Sequence, residues 1–370
     1  MRLTTPLSAS LILATLVACT PTNTSSTVTD TSSSAMTSSD TASPVPKEAE
    51  VIAENLRIPW GVDFLPNGDI LVTERPGTLL RIGADKKQYP ISGVKHRGEG
   101  GLMGVAVHPQ FVNNNWIYIA FTTTEDTNRV VRYTLKNDEL TEEKIILDNI
   151  PAGIYHDGGR LAFGARDGYL YITAGDSTNE ALAQDKSSLA GKILRVDSEG
   201  GIPADNPFGT AVYSWGHRNP QGLTWDEEGN LWSTEHGRSG ALSGYDELNK
   251  ITKGGNYGWP TYQGDQEDEN TIAPSAHSGP STTWAPASAQ YYKGSIFFGG
   301  LKGEALYEAV LGSGSPMVIK THLLKEYGRI RTVMLNPVDG MFYITTSNTD
   351  GRGSAKAGDD KLIRIDPESL

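Results

Sequence analysis

The sequence predicts an all-β chain and, within that class, a six-bladed β-propeller. Three observations lead there. A strand–turn–strand unit recurs along the chain, and no long run carries the 3.6-residue apolar period of an amphipathic helix. Turn formers are abundant, with 41 glycines and 20 prolines in 370 residues, as many short strands require. The unit is clearest at Ile58–Glu74, where an apolar strand meets Asn67-Gly68 and returns as a β-rich strand ending near Thr73. Asn-Gly and Asp-Gly accept the left-handed backbone of a tight hairpin, so they mark the reversal. The unit returns at 161–175 around Asp167-Gly168, at Leu223–Glu235 around Gly229-Asn230, and at Val333–Ser347 around Asp339-Gly340. Looser copies lie at Val105–Thr122, through Asn113-Asn114-Asn115, and at Ser295–Val310. Six units over roughly 320 residues leave about 53 for each, more than a four-stranded blade needs, and the excess falls to loops. A pair of β-sandwiches is the alternative, but it leaves the repeat unexplained.

The chain ahead of the repeat reads differently. Arg2 supplies a basic start and residues 7–18 are mostly apolar, too short a run to span a bilayer but suited to a signal peptide over 1–18. Leu16-Val17-Ala18-Cys19 resembles a bacterial lipobox, in which the cysteine carries lipid. Cys19 is the only cysteine, so no disulfide framework exists. Residues 19–49 are rich in Ser and Thr with few large apolar side chains. Such a segment cannot offset its ordering entropy and is expected to be a disordered tether. The expectation is an exported lipoprotein held to a membrane through Cys19, facing the periplasm or cell exterior, with a folded domain over 50–370.

Chemistry concentrates between Tyr155 and Asp176. Asp167-Gly168 turns a hairpin whose outgoing strand alternates Tyr169, Tyr171 and Thr173 with Leu170, Ile172 and Ala174. His156 precedes the strand pair in a glycine-rich loop and Asp176 follows it, so the hairpin returns Asp176 toward that loop. A histidine oriented by a carboxylate is the minimal general-base unit. On this stretch alone, a loop histidine and a turn-capping aspartate remain the alternative.

Basic residues stand at corresponding places beside several units: Arg218, Arg238, Lys302, Arg329 and Arg331, in a chain of net charge −12. Convergent guanidinium and ammonium groups imply a bound polyanion. Nucleic acid is not expected, because the chain is acidic and carries no basic stripe. No G-x-G-x-x-G separates a strand from a helix, so a Rossmann nicotinamide site is absent. His217 and His236 lack metal-ligand spacing and read as packing or loop histidines. Most Trp and Tyr read as core, with Trp284 or Tyr262 available to line a sugar subsite, and Asp265–Glu269 reads as a solvated loop tip.

Taken in order, the loops resemble the soluble PQQ-dependent aldose sugar dehydrogenases of the glucose/sorbosone dehydrogenase family. The motifs are Gly98-Glu99-Gly100-Gly101-Leu102-Met103-Gly104, His156 to Leu161, Gly216 to Leu223, Glu235-His236-Gly237, Gly255 to Pro260, and Arg329-Ile330-Arg331. The resemblance covers the chain from about Ile58 onward. It implies a six-bladed propeller that binds pyrroloquinoline quinone (PQQ) and Ca2+ and oxidises an aldose at its anomeric carbon to a lactone, passing electrons to an unknown acceptor. By the same resemblance His156 is the catalytic base and Asp176 orients it. Arg218, Asn219 and Gln221 hold the quinone edge, while Lys302, Arg329 and Arg331 meet its carboxylates and Thr283 touches the cofactor. The carbonyls of Gly237 and Arg238 ligate the calcium beside PQQ, and Glu247 and Tyr257 match a second, structural calcium site. Arg238 stands where the family commonly has proline, and Glu99 where it commonly has glutamine. Among several cations Glu99 is expected to pair with Arg218 or calcium.

Two other functions fit the architecture. A calcium-dependent propeller lactonase needs carboxylate and Asn ligands on the channel axis and leaves the Lys302, Arg329 and Arg331 group unexplained. A non-catalytic glycan- or protein-binding propeller has no need of both His156 and Asp176.

Overall fold

A computed structural model describes residues 49–240 and 243–370, and within them the chain forms six four-stranded antiparallel sheets arranged as a six-bladed propeller. The signal, lipobox and most of the tether lie outside the described residues. Blade 1 comprises β2 (Pro59–Phe64), β3 (Ile70–Glu74), β4 (Thr78–Ile82) and β5 (Lys86–Pro90). Blade 2 comprises β6 (Leu102–Val107), β7 (Trp116–Thr122), β8 (Thr127–Lys136) and β9 (Glu139–Pro151). Blade 3 comprises β10 (Leu161–Phe163), β11 (Leu170–Ala174), β12 (Lys192–Val196) and β13 (Val212–Trp215). Blade 4 comprises β14 (Thr224–Trp225), β15 (Leu231–Glu235), β16 (Glu247–Ile251) and β17 (Ala276–His277). Blade 5 comprises β18 (Pro286–Tyr292), β19 (Ser295–Gly300), β20 (Ala305–Val310) and β21 (Val318–His322). Blade 6 takes β22 (Ile330–Leu335), β23 (Phe342–Thr346) and β24 (Leu362–Ile365) from the end of the chain. Its fourth strand is β1 (Glu50–Ala53), which pairs antiparallel with β24 and closes the ring.

Strand composition follows position in the blade. The second strands are sandwiched between neighbouring blades, so Ile70–Glu74 and Leu170–Ala174 are buried on both faces and read as continuous apolar or β-branched runs. The outer strands Lys86–Pro90 and Val318–His322 are largely exposed and polar. The core is divided into six apolar clusters, one at each blade interface. Between blades 2 and 3, for example, Ala106, Tyr118 and Val130 pack on Leu161, Leu170 and Ile172.

The innermost strands crowd the channel. A Cβ on Gly104 would lie 2.2 Å from the Gly159 carbonyl oxygen, so only glycine lets blades 2 and 3 meet there. Side chains stitch other seams: the Thr332 hydroxyl donates to the Trp60 carbonyl at 2.7 Å, and Val333 N–H donates to Ser288 Oγ at 2.6 Å. Five predicted units fall on the first and second strands of blades 1, 2, 3, 4 and 6. The sixth, Ser295–Val310, instead covers β19 and β20. The inner hairpin of blade 5 turns at Lys293-Gly294, ahead of the predicted copy.

Candidate active site

In every blade the segment entering the first strand and the segment leaving the second share one end, because the two strands are antiparallel. Leu161, at the start of β10, stands opposite Ile172 near the end of β11. His156 and Asp176 therefore meet at that end of blade 3. The same rule delivers Glu99 before β6, Arg218 and Asn219 before β14, His236 to Ser239 after β15, Thr283 before β18, Lys302 after β19 and Arg329 before β22. Together they line a cavity of about 600 Å3.

His156 Nδ1 and Asp176 Oδ1 are 2.7 Å apart. The other Asp176 oxygen accepts from Trp259 Nε1 at 2.8 Å, and Thr178 N–H donates to Oδ1 at 2.8 Å. Asp176 is buried while the His156 side chain retains 15 % exposure toward the cavity. Nδ1 is thus occupied as donor to the carboxylate, which leaves the Nε2 lone pair for a substrate proton. A Cβ on Gly175 would meet the His156 carbonyl oxygen at 2.0 Å, so this glycine lets the two loops touch.

Five cations line the cavity, Arg218, Arg238, Lys302, Arg329 and Arg352, against two carboxylates, Glu99 and Asp246. Their commitments differ. Arg329 bonds Asp350 at 2.8 Å and donates to the Ser347 and Leu301 carbonyls at 3.1 Å each. Arg218 donates to the His236 carbonyl and Ser239 Oγ, while its buried Nε lacks a partner. Burial pulls the Arg218 guanidinium below its ordinary pKa against the opposing field of Asp176 and Glu235. Arg238 lies 4.7 Å from the Tyr245 ring with its Nε unpartnered. Asn219 Oδ1 accepts from Gly158 N–H at 3.1 Å, and the Thr283 and Ser243 hydroxyls are 2.6 Å apart.

Arg331 and Gln221 sit one layer lower. Neither lines the main cavity; both border a small space beneath it, where Arg331 Nη1 donates to Gln221 Oε1 at 3.2 Å. Burial and the nearby Arg75 push the Arg331 pKa down to about 9. Burial and Arg331 do the same to Arg160, also to about 9. Both cations lie against the Trp60 ring, with Arg160 Cζ 4.2 Å and Arg331 Cζ 5.7 Å from its centroid.

Glu99 does not pair with Arg218. Its Oε1 meets Arg352 Nη1 at 2.6 Å, and its Oε2 accepts from His156 N–H at 3.0 Å. Burial alone would raise this carboxyl, but the field of His236, the His156 amide and Arg352 together hold it at about 2. Burial also drives His236 to about 3. His236 lines the cavity with a buried, unpartnered Nε2, so it is not a simple packing histidine. His217 is one, stacked on Tyr257 at 4.6 Å and bonded to Glu235 and Ser214. Trp284 is buried among Phe298 and Tyr307 and does not line the cavity. Tyr262 borders a separate, smaller pocket, and residues 265–269 form an exposed loop.

The residues that the family resemblance assigns to calcium fall in two places. Gly237 and Arg238 line the main cavity, on a loop pinned by Asp246, whose carboxylate accepts from the amides of Gly237, Trp284 and Ala285 at 2.7–2.9 Å. Among the described residues the Arg238 carbonyl accepts a long 3.4 Å bond from Gly244 N–H. Glu247 and Tyr257 border the smaller pocket with Glu235 and Gln263. Burial and the facing Glu235 push the Glu247 carboxyl well above the carboxylate range. Asn249 Oδ1 and Gln263 Oε1 are buried there without donors. Clustered oxygens left without hydrogen-bond donors suit a hard cation, which would also displace the Glu247 proton. The Tyr257 hydroxyl is already engaged by Thr252 N–H and the Lys250 carbonyl. Among the described residues no three His, Cys, Asp or Glu side chains form a metal cluster.

The family model described as glucose/sorbosone dehydrogenase matches residues 56–363. The chain belongs to this family. Among curated relatives, the aldose sugar dehydrogenase YliI of Escherichia coli is 31 % identical over 369 residues, covering 89 % of this chain and 95 % of that protein. Quinoprotein glucose dehydrogenase B of Acinetobacter calcoaceticus is 34 % identical over 262 residues, 60 % of this chain and 54 % of that protein. The structure of the PQQ-bound aldose sugar dehydrogenase from Streptomyces coelicolor superposes with a TM-score of 0.80 at 38 % identity, over 87 % of this chain and 99 % of that one. The glucose/sorbosone dehydrogenase resemblance read from the loop motifs therefore holds for the folded chain.

Proposed function

We propose that this protein is a PQQ- and calcium-dependent dehydrogenase that oxidises aldose sugars at the anomeric carbon to lactones. One observation carries the reading: the His156–Asp176 pair opens onto a cavity whose cations outnumber its carboxylates five to two. That imbalance fits a tricarboxylate cofactor. Arg329 and Arg352 pair with Asp350 and Glu99, whereas among the described residues Arg218, Arg238 and Lys302 meet no carboxylate and the Arg218 and Arg238 Nε atoms no acceptor. Bound there, PQQ would accept the hydride from the anomeric carbon while calcium, on the Gly237 and Arg238 carbonyls, would act as a Lewis acid.

The remaining chemistry belongs to the chain. His156 Nε2 takes the proton of the anomeric hydroxyl, and Asp176 fixes the tautomer and stabilises the imidazolium that results. Arg218, held beside Trp259 and Ser239, is a fixed positive charge for negative charge that develops in the cavity. Asn219 and Thr283 offer neutral polar contacts at its walls. Arg329 adds its charge at the cavity wall, and Arg331 acts from beneath, keeping the floor positive. The Glu247 pocket suits the second calcium. The channel axis below holds Arg160 and Arg331 around Trp60, a field that repels a cation and disfavours the lactonase reading.

Lys302→Ala tests the cofactor assignment. It removes a cavity cation, and a charged hydrogen bond contributes about 1.5–3 kcal/mol, so the Kd for PQQ should weaken by about tenfold or more. Titration by cofactor absorbance in the presence of calcium measures this, and an unchanged Kd rejects the role. The substrate test is the spectrum of the PQQ- and calcium-loaded protein after sugar is added. Conversion to the reduced quinol separates a dehydrogenase from a hydrolase or a binding module.

The proposed location is a membrane surface outside the cytoplasm, resting on the lipobox ending at Cys19. Cys19→Ser should leave a soluble or unprocessed form; membrane partition equal to wild type would reject the anchor.

A further inference from the structure

One ion pair joins distant parts of the chain across the cavity wall. Arg352 lies in the connection from β23 to β24, and Glu99 lies before β6, 253 positions away. With Arg352 on Oε1, Glu99 turns Oε2 toward the main-chain N–H of His156. Its own N–H donates to the Ile154 carbonyl at 2.8 Å. The residue thus grips the His156 loop at two points. Arg352 also lies over the ring of Tyr155, 5.3 Å from its centroid.

That grip has something to hold. His156 has φ +65°, in the left-handed region that a side chain disfavours. Such a conformation persists only where the surroundings over-determine it. Asp176 fixes the ring, and Glu99 fixes the main chain. His236 and Arg218 also face this corner through the cavity, but neither bonds the His156 backbone. A half-exposed ion pair contributes little to global stability, so stability does not explain this one. Its effect is directional: Arg352 occupies Oε1 and leaves Oε2 to the His156 amide.

We propose that Arg352 is a positioning residue: it orients Glu99, and Glu99 holds the His156 main chain in the conformation that aims the imidazole into the cavity. The kinetic consequence rests on His156 being the base; the structural consequence does not.

The test uses the full chain with Arg352→Ala, Arg352→Lys, Glu99→Gln, and Glu99→Gln combined with Arg352→Ala. Amide exchange of residues 153–158, followed by mass spectrometry without cofactor, reads the loop directly. Losing one restrained hydrogen bond should speed exchange there on the order of fivefold in Arg352→Ala. With PQQ and calcium bound, kcat for sugar oxidation should fall by about tenfold to a hundredfold, the scale of a slightly misplaced catalytic group, at little-changed KM. Arg352→Lys should recover most of both effects. Arg352→Ala should cost nothing further on top of Glu99→Gln, since the two act in series. Unchanged exchange in Arg352→Ala overturns the proposal, and so does a raised KM at unchanged kcat. A wild-type protein that oxidises no sugar refutes the dehydrogenase reading, while the exchange measurement still decides the role of Arg352.

Discussion

Replacing His156 by alanine is expected to lower kcat for sugar oxidation by about 10²–10⁴-fold, the usual contribution of a general base, while the protein still binds PQQ. The division follows from where the histidine sits. Its ring projects into the cavity from blade 3, whereas Lys302 and Arg218 come from blades 5 and 4. Loss of the imidazole leaves those cations in place. Cofactor titration alongside steady-state turnover measures both quantities on one preparation. Normal turnover would assign the base elsewhere in the cavity; lost PQQ binding would make His156 a cofactor ligand.

Asp176→Asn should reduce turnover less than His156→Ala. The aspartate is buried and meets His156 Nδ1, Trp259 Nε1 and the Thr178 amide, so it acts on a sugar only through the imidazole. The double variant should be little worse than His156→Ala alone, as expected of groups that work as a unit. Strictly additive losses would show that Asp176 acts independently.

The parts of this fold legible in the sequence are those governed by local rules. Asn67-Gly68, Asp167-Gly168 and Asp339-Gly340 mark inner hairpins because their glycines sit at positive φ, from 68° to 90°, where the chain must reverse. Blade 5 reverses through Lys293 at φ 43° and Gly294. A lysine there carries no turn signal, and that displaced the predicted unit by one strand. The β1 strand was hidden because its partner β24 comes from the opposite end of the chain. The site divides the same way. His156 and Asp176 flank one hairpin, so alternation and a turn suffice to bring them together. Arg352 and Trp259 reach Glu99 and Asp176 across 253 and 83 positions, distances set by ring closure and blade order. The mispairing of Glu99 with Arg218 has that origin: the nearer cation in the motif was visible, and the one delivered by blade 6 was not.

The largest expected effect on stability is that of Trp60→Ala. Trp60 is 1 % exposed on the innermost strand of blade 1, and truncating a buried tryptophan costs about 3–5 kcal/mol through lost burial and the cavity left behind. Here the ring has a second duty. Arg160 is buried, its Nε donates to the Gln221 carbonyl at 2.9 Å, and its Nη2 has no partner among the described residues. The guanidinium also lies over the Trp60 face, with Arg331 on the same ring; a desolvated cation–π contact adds about 2 kcal/mol. Removing the ring leaves two repelling guanidinium groups facing a void, so the loss should lie at the upper end of that range. Trp60→Phe keeps a face for the cations and should cost clearly less. Urea unfolding of the three proteins, compared by midpoint at unchanged slope, measures the difference. The coupling can be isolated with Arg160→Met, which replaces the buried cation by an apolar chain. Trp60→Ala should cost less in that background than in wild type, by roughly the cation–π contribution. Equal costs in both backgrounds would reduce Trp60 to an apolar plug in the channel.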